Sequence, residues 1–95
     1  MSSKSSTWRP DASYTVSYTG TAGNATAAGS GIRAVRIVTT TAAYIAIGKD
    51  AVAVANDVYM PAGVPETFQC FEGERVSAIQ VSSGGNLQVT YLTHG

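Results

Sequence analysis

Residues 48–50 read Gly-Lys-Asp and so contain the glycine–lysine pair with which phosphate-binding loops end. Such a loop also has a glycine five positions before that pair, a Ser or Thr after the lysine and a helix behind it. Backbone amides then wrap the phosphates, and the hydroxyl binds magnesium. Here Ala43 and Asp50 occupy those two positions, and no helix-forming stretch follows. The sequence therefore predicts a turn between two strands rather than a nucleotide site.

Few other side chains have catalytic or metal-binding chemistry. The single histidine, His94, lies beside the C-terminus, where we expect no catalytic triad or metal cluster. The single cysteine, Cys70, excludes an internal disulfide and a Cys-ligated zinc site, and its apolar strand predicts an inert packing role. Glu66, Glu72 and Glu74 flank turns and lack the spacing of a calcium loop. We therefore predict no catalytic residue, no metal site, no cofactor and no enzymatic activity.

Length and charge limit the partners that the chain is expected to bind. The 95 residues are enough for one small domain with a thin core. Six basic and six acidic residues balance, so the strongly basic surface of a nucleic-acid or anionic-membrane binder is not expected. No apolar run is long enough to span a membrane, and the polar N-terminus does not resemble a signal peptide. We expect a protein made and kept inside a cell, with proteins as partners.

The composition predicts the fold class. β-Branched and aromatic residues dominate, whereas strong helix formers are scarce, so the domain is expected to be all-β. Residues 14–19 alternate apolar and polar side chains with the period of a half-buried strand. Residues 32–38 and 42–47 are apolar on both faces, which predicts two central strands that pair across residues 39–41.

Short strands separated by turn residues continue through the second half of the chain. We predict strands at residues 58–60, 66–71 and 75–81, and a hairpin loop at residues 82–86. The residues that this loop would align on one inner face are Ile79, Val81, Leu87, Val89 and Tyr91. Residues 51–56 fit a strand, a helical turn or a packed loop equally well.

These elements predict a single domain over residues 12–95. About seven short strands without a long helix indicate a small antiparallel β-sandwich, either jelly-roll-like or immunoglobulin-like. Residues 1–11 are rich in serine and predict a flexible N-terminal arm. Residues 20–31 contain no large side chain, so we predict a mobile loop there. The sequence leaves open whether the arm or this loop contacts a partner.

Four residues are candidates for a contact surface. Arg33 and Arg36 are an odd number of positions apart, so a regular strand places them on opposite faces and directs at least one toward the core or a neighbour. Pairing with local carboxylates would contribute little energy, whereas a contact with another subunit would give them a binding role. Trp8 and Arg9, in the arm, are of the residue types that dominate interface energies. We therefore name Trp8, Arg9, Arg33 and Arg36 as candidate interface residues.

About half of the chain resembles a known family. The elements that carry the resemblance are a Tyr-Ile-Ala-Ile-Gly strand at residues 44–48, a Pro-Ala-Gly turn at 61–63, a Pro-Glu-x-Phe strand at 65–68 and Gly-Glu-x-Val-Ser-Ala-Ile-Gln at 73–80. A Gly-Gly hairpin and a last strand follow. This succession is similar to that of small virion proteins of tailed bacteriophages, whereas the serine-rich arm and the glycine-rich loop do not contribute to the likeness.

The resemblance implies a β-sandwich or jelly-roll protein that is present in many copies in the phage particle and is not an enzyme. We therefore expect a capsid decoration or cement protein, located in the virion and assembled in the host cytoplasm. Its expected partners are the major capsid protein or other virion proteins, and a homo-oligomer, plausibly a trimer, is also implied. The resemblance equally allows a head-to-tail, tail or fibre protein.

A carbohydrate-binding β-sandwich is the main alternative outside the virion. Such a module needs an exposed aromatic patch on which sugars stack. The strand alternation instead directs Tyr14, Tyr18 and Tyr91 inward. A small enzyme ranks last, because the sequence offers no cluster of polar residues for a pocket.

Overall fold

The computed structural model describes residues 8–94, and β-strands account for most of them. The strands are β1 (Trp8–Tyr18), β2 (Gly23–Asn24), β3 (Ile32–Thr39), β4 (Ala43–Gly48), β5 (Val58–Met60), β6 (Glu66–Gln69), β7 (Arg75–Gln80) and β8 (Gly85–His94). No helix occurs in this part of the chain. The prediction of an all-β domain is confirmed.

The strands form two four-stranded antiparallel sheets. The first sheet has the order β1-β8-β3-β6 and the second has the order β2-β7-β4-β5. The pairs β1–β8, β2–β7, β3–β6 and β4–β5 are those of one long antiparallel ribbon rolled up on itself, which is the topology of a jelly roll. The predicted sandwich is confirmed, and of its two alternatives the structure has the jelly roll. It also has one strand more than predicted, the two-residue β2.

The core lies between the two sheets and follows the predicted alternation in β1 and β8. Tyr18 is buried, and Tyr14 and Val16 pack against the core, while the residues between them are exposed. The largest fully buried side chains are Tyr18, Tyr91, Ile32, Ile37, Ile45, Met60 and Leu87. Each large apolar side chain removed from water contributes about 1.5–3 kcal/mol, so this cluster provides much of the favourable free energy of folding.

The predicted pairing of β3 with β4 is wrong. β3 pairs with β8 and β6 in the first sheet, whereas β4 pairs with β7 and β5 in the second. Residues 40–42 therefore cross between the sheets. The Tyr18 hydroxyl donates to the Thr41 carbonyl at 2.8 Å and also lies 2.7 Å from the Thr41 Oγ1. Periodicity identified both strands as central, but it carries no information about which sheet each one joins.

The predicted hairpin between β7 and β8 is wrong for the same reason. These strands belong to different sheets, so the loop that joins them is a second crossing. The inward residues of β7 are Val76 and Ala78, whereas Ile79 is half-buried and Val81 is 40% exposed. Along β8, Leu87, Val89 and Tyr91 are buried as predicted.

Residues 20–31 pack against the sandwich and do not form the unattached loop that their composition predicted. Ala25 and Ala28 are buried, and their amides donate to the carbonyls of Val76 and Glu74 at 2.9 and 2.7 Å. The Tyr91 hydroxyl donates to the Thr26 carbonyl at 2.6 Å. Small side chains allow this backbone to lie close to the edge of β7. The alanines of the segment, which are too small to anchor it by themselves, are therefore the side chains that fit against β7.

For residues 51–56 the structure selects one of the three conformations that the sequence allowed. Residues 51–56 form a packed loop over the outer face of the second sheet, where the Ala53 amide donates to the Ser77 hydroxyl at 2.8 Å.

Residues 8–11 lie in β1, although the sequence predicted a flexible arm through residue 11. They are strand because β8 extends far enough to pair with them, with Trp8 opposite His94. The rest of the predicted arm, residues 1–7, lies outside the described residues.

Candidate interaction surface

A β-bulge in β3 places both candidate arginines of that strand on the surface. The pairing of β3 with β8 shifts between Ile32 and Ala34, so Arg33 is an extra residue in the strand. Ile32 and Val35 consequently both reach the core although they are an odd number of positions apart. Arg33 and Arg36 are both exposed. The prediction that a regular strand would direct one of them inward is wrong, because the bulge shifts the alternation by one position.

Arg36 lies on the outer face of the first sheet among uncharged polar residues. Its neighbours across the two adjacent strands are Thr90 of β8 and Thr67 of β6. Thr90 is in turn paired with Ser13 of β1, and their hydroxyls are 3.2 Å apart. Arg36 is therefore held in a ladder of cross-strand neighbours, which fixes the position of its backbone.

Trp8 and Arg9 lie at the start of β1, beside the end of β8. Trp8 is 40% exposed, and its ring meets the ring of His94 edge to face with the centroids 5.9 Å apart. Arg9 is exposed and is paired with Thr93, whose hydroxyl donates to the Arg9 carbonyl at 3.4 Å. Thr93 is also paired with Ile32, so Arg9 and the bulge at Arg33 lie in neighbouring rows of the same sheet.

Trp8, Arg9 and Arg33 lie at one end of the first sheet, where β1 and β3 begin and β8 ends, whereas Arg36 lies midway along β3. We call this part of the sheet, with its exposed residues Trp8, Arg9, Arg33 and Arg36, the arginine end. Guanidinium groups stay charged at all physiological pH values and bind carboxylates through two parallel hydrogen bonds. They also stack on aromatic rings. The chemistry of the arginine end therefore fits an acidic protein surface with exposed aromatic residues.

Cys70 packs in the core and is poorly suited to chemistry. Its side chain is fully buried, in the same cluster as Met60, and Phe68 packs against that cluster from the same face. Burial, together with the negative charge of Glu74, raises the pKa of the Cys70 thiol to about 11. A thiol with so high a pKa is almost entirely protonated at neutral pH, and the thiolate is the reactive form. The predicted packing role is confirmed.

Gly48-Lys49-Asp50 is a turn, as predicted. The Ala51 amide donates to the Gly48 carbonyl at 3.3 Å, and Asp50 has a positive φ of 55°. An irregular loop follows the turn, so no helix N-terminus is available to bind phosphate.

The carboxylates that could have formed a catalytic or metal site are dispersed. Glu74 accepts a hydrogen bond from the Phe71 amide at 2.9 Å and so closes the turn before β7, whereas Glu66 and Glu72 are exposed. Within residues 8–94, no three His, Cys, Asp or Glu side chains are grouped so that they could hold a metal ion. No pocket opens in the surface of this part of the chain. None of its helices could cross a membrane, since the described residues form none.

Exposed aromatic residues also occur away from the arginine end. Tyr59 of β5 is 55% exposed, and its ring lies edge to face with that of Tyr44, with centroids 6.1 Å apart. Phe71, which follows β6, is 43% exposed. Tyr14, Tyr18 and Tyr91 are directed inward as predicted. Tyr59 is exposed because it alternates with the buried Met60 and so lies on the outer face of the second sheet, opposite Tyr44.

Comparison of the chain with protein-family models, with curated proteins and with solved structures finds no match. The function of the arginine end is therefore inferred from its own residues. It combines a tryptophan and arginines, which are enriched among the residues that dominate binding energy. It also lies on a paired sheet, which holds these residues in place before a partner arrives.

Proposed function

We propose that this protein is a non-enzymatic structural protein of a tailed-bacteriophage virion. In this proposal it decorates or cements the head by contacts with the major capsid protein or other virion proteins. The placement in a virion rests on the resemblance of residues 44–93 to small phage virion proteins. The observation that carries a binding role is the arginine end, where Trp8, Arg9, Arg33 and Arg36 are all exposed on the first sheet.

The mechanism is attachment by many weak contacts. A domain of 95 residues can place only a small area against a shell, so each single contact is modest. Copies that also contact one another remain bound when one contact opens, because the other contacts keep the local concentration high. The sandwich suits this role because the pairing of β1 and β3 with β8 fixes the backbone of the arginine end in one geometry.

Binding to shells tests the proposal directly. Purified protein is mixed with empty heads of the phage that encodes the chain, and bound copies are counted after sedimentation. We expect saturable binding in many copies per head. Trp8→Ala and the double variant R33A/R36A are expected to bind at least about tenfold more weakly, which corresponds to the loss of one interface anchor.

A matched control changes two exposed residues away from the arginine end. S82A/S83A alters the loop between β7 and β8 and should bind as the unmodified protein does. If all of these proteins bind equally, the arginine end is not the binding surface. If none binds to heads, the assignment to the capsid fails.

Two other functions make different predictions in the same experiment. A head-to-tail, tail or fibre protein would bind in few copies per particle rather than in the large number that a shell requires. A carbohydrate-binding module would use an aromatic face, and the exposed Tyr59 beside Tyr44 is the observation that favours it. Binding to immobilised polysaccharide that is lost in Tyr59→Ala would support that function instead.

A further inference from the structure

The loops at one end of the sandwich contain no charged residue. These loops are residues 19–22, 39–42, 61–64 and 81–84, and none of them includes an Asp, Glu, Lys or Arg. The charged residue that lies closest to them along the chain is Glu66, at the start of β6. The loops at the opposite end contain Lys49, Asp50, Asp57, Glu72 and Glu74. We call the surface formed by the four uncharged loops the neutral end.

Hydrogen bonds tie the four loops of the neutral end together. The Gly63 amide donates to the Thr39 carbonyl at 2.8 Å. The Thr41 hydroxyl donates to the Ser83 carbonyl at 3.0 Å. The amide of the last residue of β7 donates to the Thr19 carbonyl at 3.0 Å. The neutral end is therefore held in one shape before any partner binds.

The exposed side chains of the neutral end can be covered at low cost. Val64 and Val81 are 45% and 40% exposed, and the other exposed residues of the four loops are threonines, serines, glycines and an alanine. Small and β-branched side chains lose little conformational freedom when a partner covers them. No loop of the neutral end carries an ionised group, whose dehydration is the largest cost of burying a surface.

We propose that the neutral end of one copy binds the neutral end of a second copy, related to the first by a twofold axis. Such a contact joins the same surface on both copies, so that surface must be complementary to itself. Valine side chains meet this condition. Hydroxyl groups also meet it, because each can both donate and accept a hydrogen bond. The arginine end does not, because its guanidinium groups only donate and would repel one another.

The proposed contact goes beyond the proposed function, because it uses a surface other than the arginine end. It leaves the arginine end of both copies free to bind a shell. It also supplies a contact between copies, which is what attachment by many weak contacts requires.

The size of the neutral end indicates how strong the contact is. The eleven residues of β1 span roughly 35 Å, so the strands run along the longest extent of the domain, which is 44 Å. The other two extents are 24 and 20 Å, which gives the end an area of about 480 Å² (24 × 20). Two copies that meet end to end would together bury about 1,000 Å², close to the lower limit for a specific interface. We therefore expect a weak, reversible dimer.

Charged substitutions at the neutral end test the proposal with the complete protein in the absence of shells. The variant V64D/V81D places carboxylates on both sides of the contact, and V64K/V81K places ammonium groups there. Sedimentation velocity, over protein concentrations up to the solubility limit, measures dimerisation. We expect each variant alone to dimerise at least about tenfold more weakly than the unmodified protein, because like charges would meet across the axis.

Two control variants separate this contact from a general effect of charge or of surface mutation. V52D/V54D also replaces two exposed valines and changes the net charge by −2, but its substitutions lie in the loop between β4 and β5. S82A/S83A lies in the neutral end and keeps it small and uncharged. Both controls are expected to dimerise as the unmodified protein does.

Mixing V64D/V81D with V64K/V81K tests the twofold relation itself. Across a twofold axis the carboxylates of one variant meet the ammonium groups of the other, so dimers are expected to return in the mixture. Thermal unfolding shows which variants are folded. V64S/V81S adds no charge and takes the place of a charged variant that is not folded, and we expect it to dimerise several-fold more weakly than the unmodified protein.

The outcomes separate this inference from the proposed function. Loss of dimers in the neutral-end variants, with recovery in their mixture, supports the contact. A protein that stays monomeric, an equal loss in V52D/V54D, or a mixture that does not recover would each overturn it. Binding to phage heads is measured separately, so heads that bind a monomeric protein would sink the self-contact and leave the proposed function in place.

Discussion

Gly23 lies close against the backbone of a neighbouring strand. A Cβ atom at this position would overlap the Ser17 carbonyl oxygen, which is a backbone atom and cannot move aside as a flexible side chain can. Gly23 begins β2, and Ser17 lies near the end of β1. The glycine therefore allows the two sheets to meet at the side of the sandwich where β1 and β2 are in contact.

We predict that Gly23→Ala destabilises the protein by about 1–3 kcal/mol, the usual cost of forcing an extra methyl group into a packed site. Gly29→Ala is the matched control, because a Cβ atom there would meet no atom within 4 Å and the backbone is not in a conformation that requires glycine. Unfolding in denaturant measures both changes. Equal stability of the two variants would show that β1 and β2 can separate without cost.

The buried thiol of Cys70 is expected to make the stability of the protein depend on pH. Burial raises the pKa of its thiol from an ordinary value of 9.0 to about 11 in the folded protein. The folded state therefore holds this proton more tightly than the unfolded chain does. The stabilisation that results is fully present below pH 9 and is lost as the pH rises to about 11.

The free energy of unfolding, measured between pH 8 and pH 11, is therefore expected to fall as the pH rises. The Cys70→Ala variant lacks the thiol, so its free energy should fall less steeply over the same range, whatever its absolute stability. Burial likewise raises the pKa of Tyr91 to about 12, which leaves a residual slope in the variant. Identical slopes for the two proteins would contradict a buried, protonated thiol.

The four residues of the arginine end were named from the sequence, but their arrangement was not. Trp8 and Arg9 were chosen by residue type and Arg33 and Arg36 by their spacing, and all four are exposed on one sheet. Their common location could not be predicted, because it depends on the pairing of β1 and β3 with β8. The joint exposure of Arg33 and Arg36 depends on a bulge, a single extra residue that leaves no signal in the pattern of apolar residues.

At the scale of elements, Tyr91 bonds residues 23–28 to β8. The Tyr91 hydroxyl donates to the Thr26 carbonyl at 2.6 Å, and the amides of Ala25 and Ala28 bond to backbone carbonyls on either side of it. The aromatic ring of Tyr91 belongs to the core. One residue of β8 thus links the core to a segment that has no large side chain of its own.

We predict that Tyr91→Phe keeps the fold, costs about 1 kcal/mol and loosens this segment in particular. The amides of Ala25 and Ala28 should exchange with deuterium faster than in the unmodified protein, whereas amides of β8 should not. Tyr59→Phe is the control, because Tyr59 is exposed on β5. Equal protection of the two alanine amides in all three proteins would show that the segment is held without the Tyr91 hydroxyl.

The positions of the strands were predicted more accurately than the pairing between them. The bounds of β5 agree with the prediction because Pro61 cannot donate to a ladder and ends the strand. β3 and β4 were located correctly but paired incorrectly. In a jelly roll, consecutive strands frequently cross to the opposite sheet, so sequence proximity predicts the wrong neighbour. Local periodicity defines a strand, whereas its pairing is decided by the packing of the whole domain.

At the scale of the whole molecule, one end of the sandwich is free of charge. The loops at that end comprise residues 19–22, 39–42, 61–64 and 81–84, and none contains an Asp, Glu, Lys or Arg. The arginine end lies at the other end of the first sheet, since β1 runs from Trp8 to Tyr18. The charged residues are therefore available to contacts with other molecules, while the core is built without them.

This separation predicts that salt affects association and folding differently. Exposed arginines that contact carboxylates of another protein are screened by salt, so binding to phage heads should weaken several-fold between low and high sodium chloride. The free energy of unfolding depends on the apolar core and should change by less than about 1 kcal/mol, since surface charges contribute little to it. Sedimentation with empty heads and denaturant unfolding at the same two salt concentrations measure the two quantities. Binding that strengthens with salt would mean that apolar side chains such as Trp8 carry the contact and that the arginines do not, because salt favours apolar burial while it screens charge.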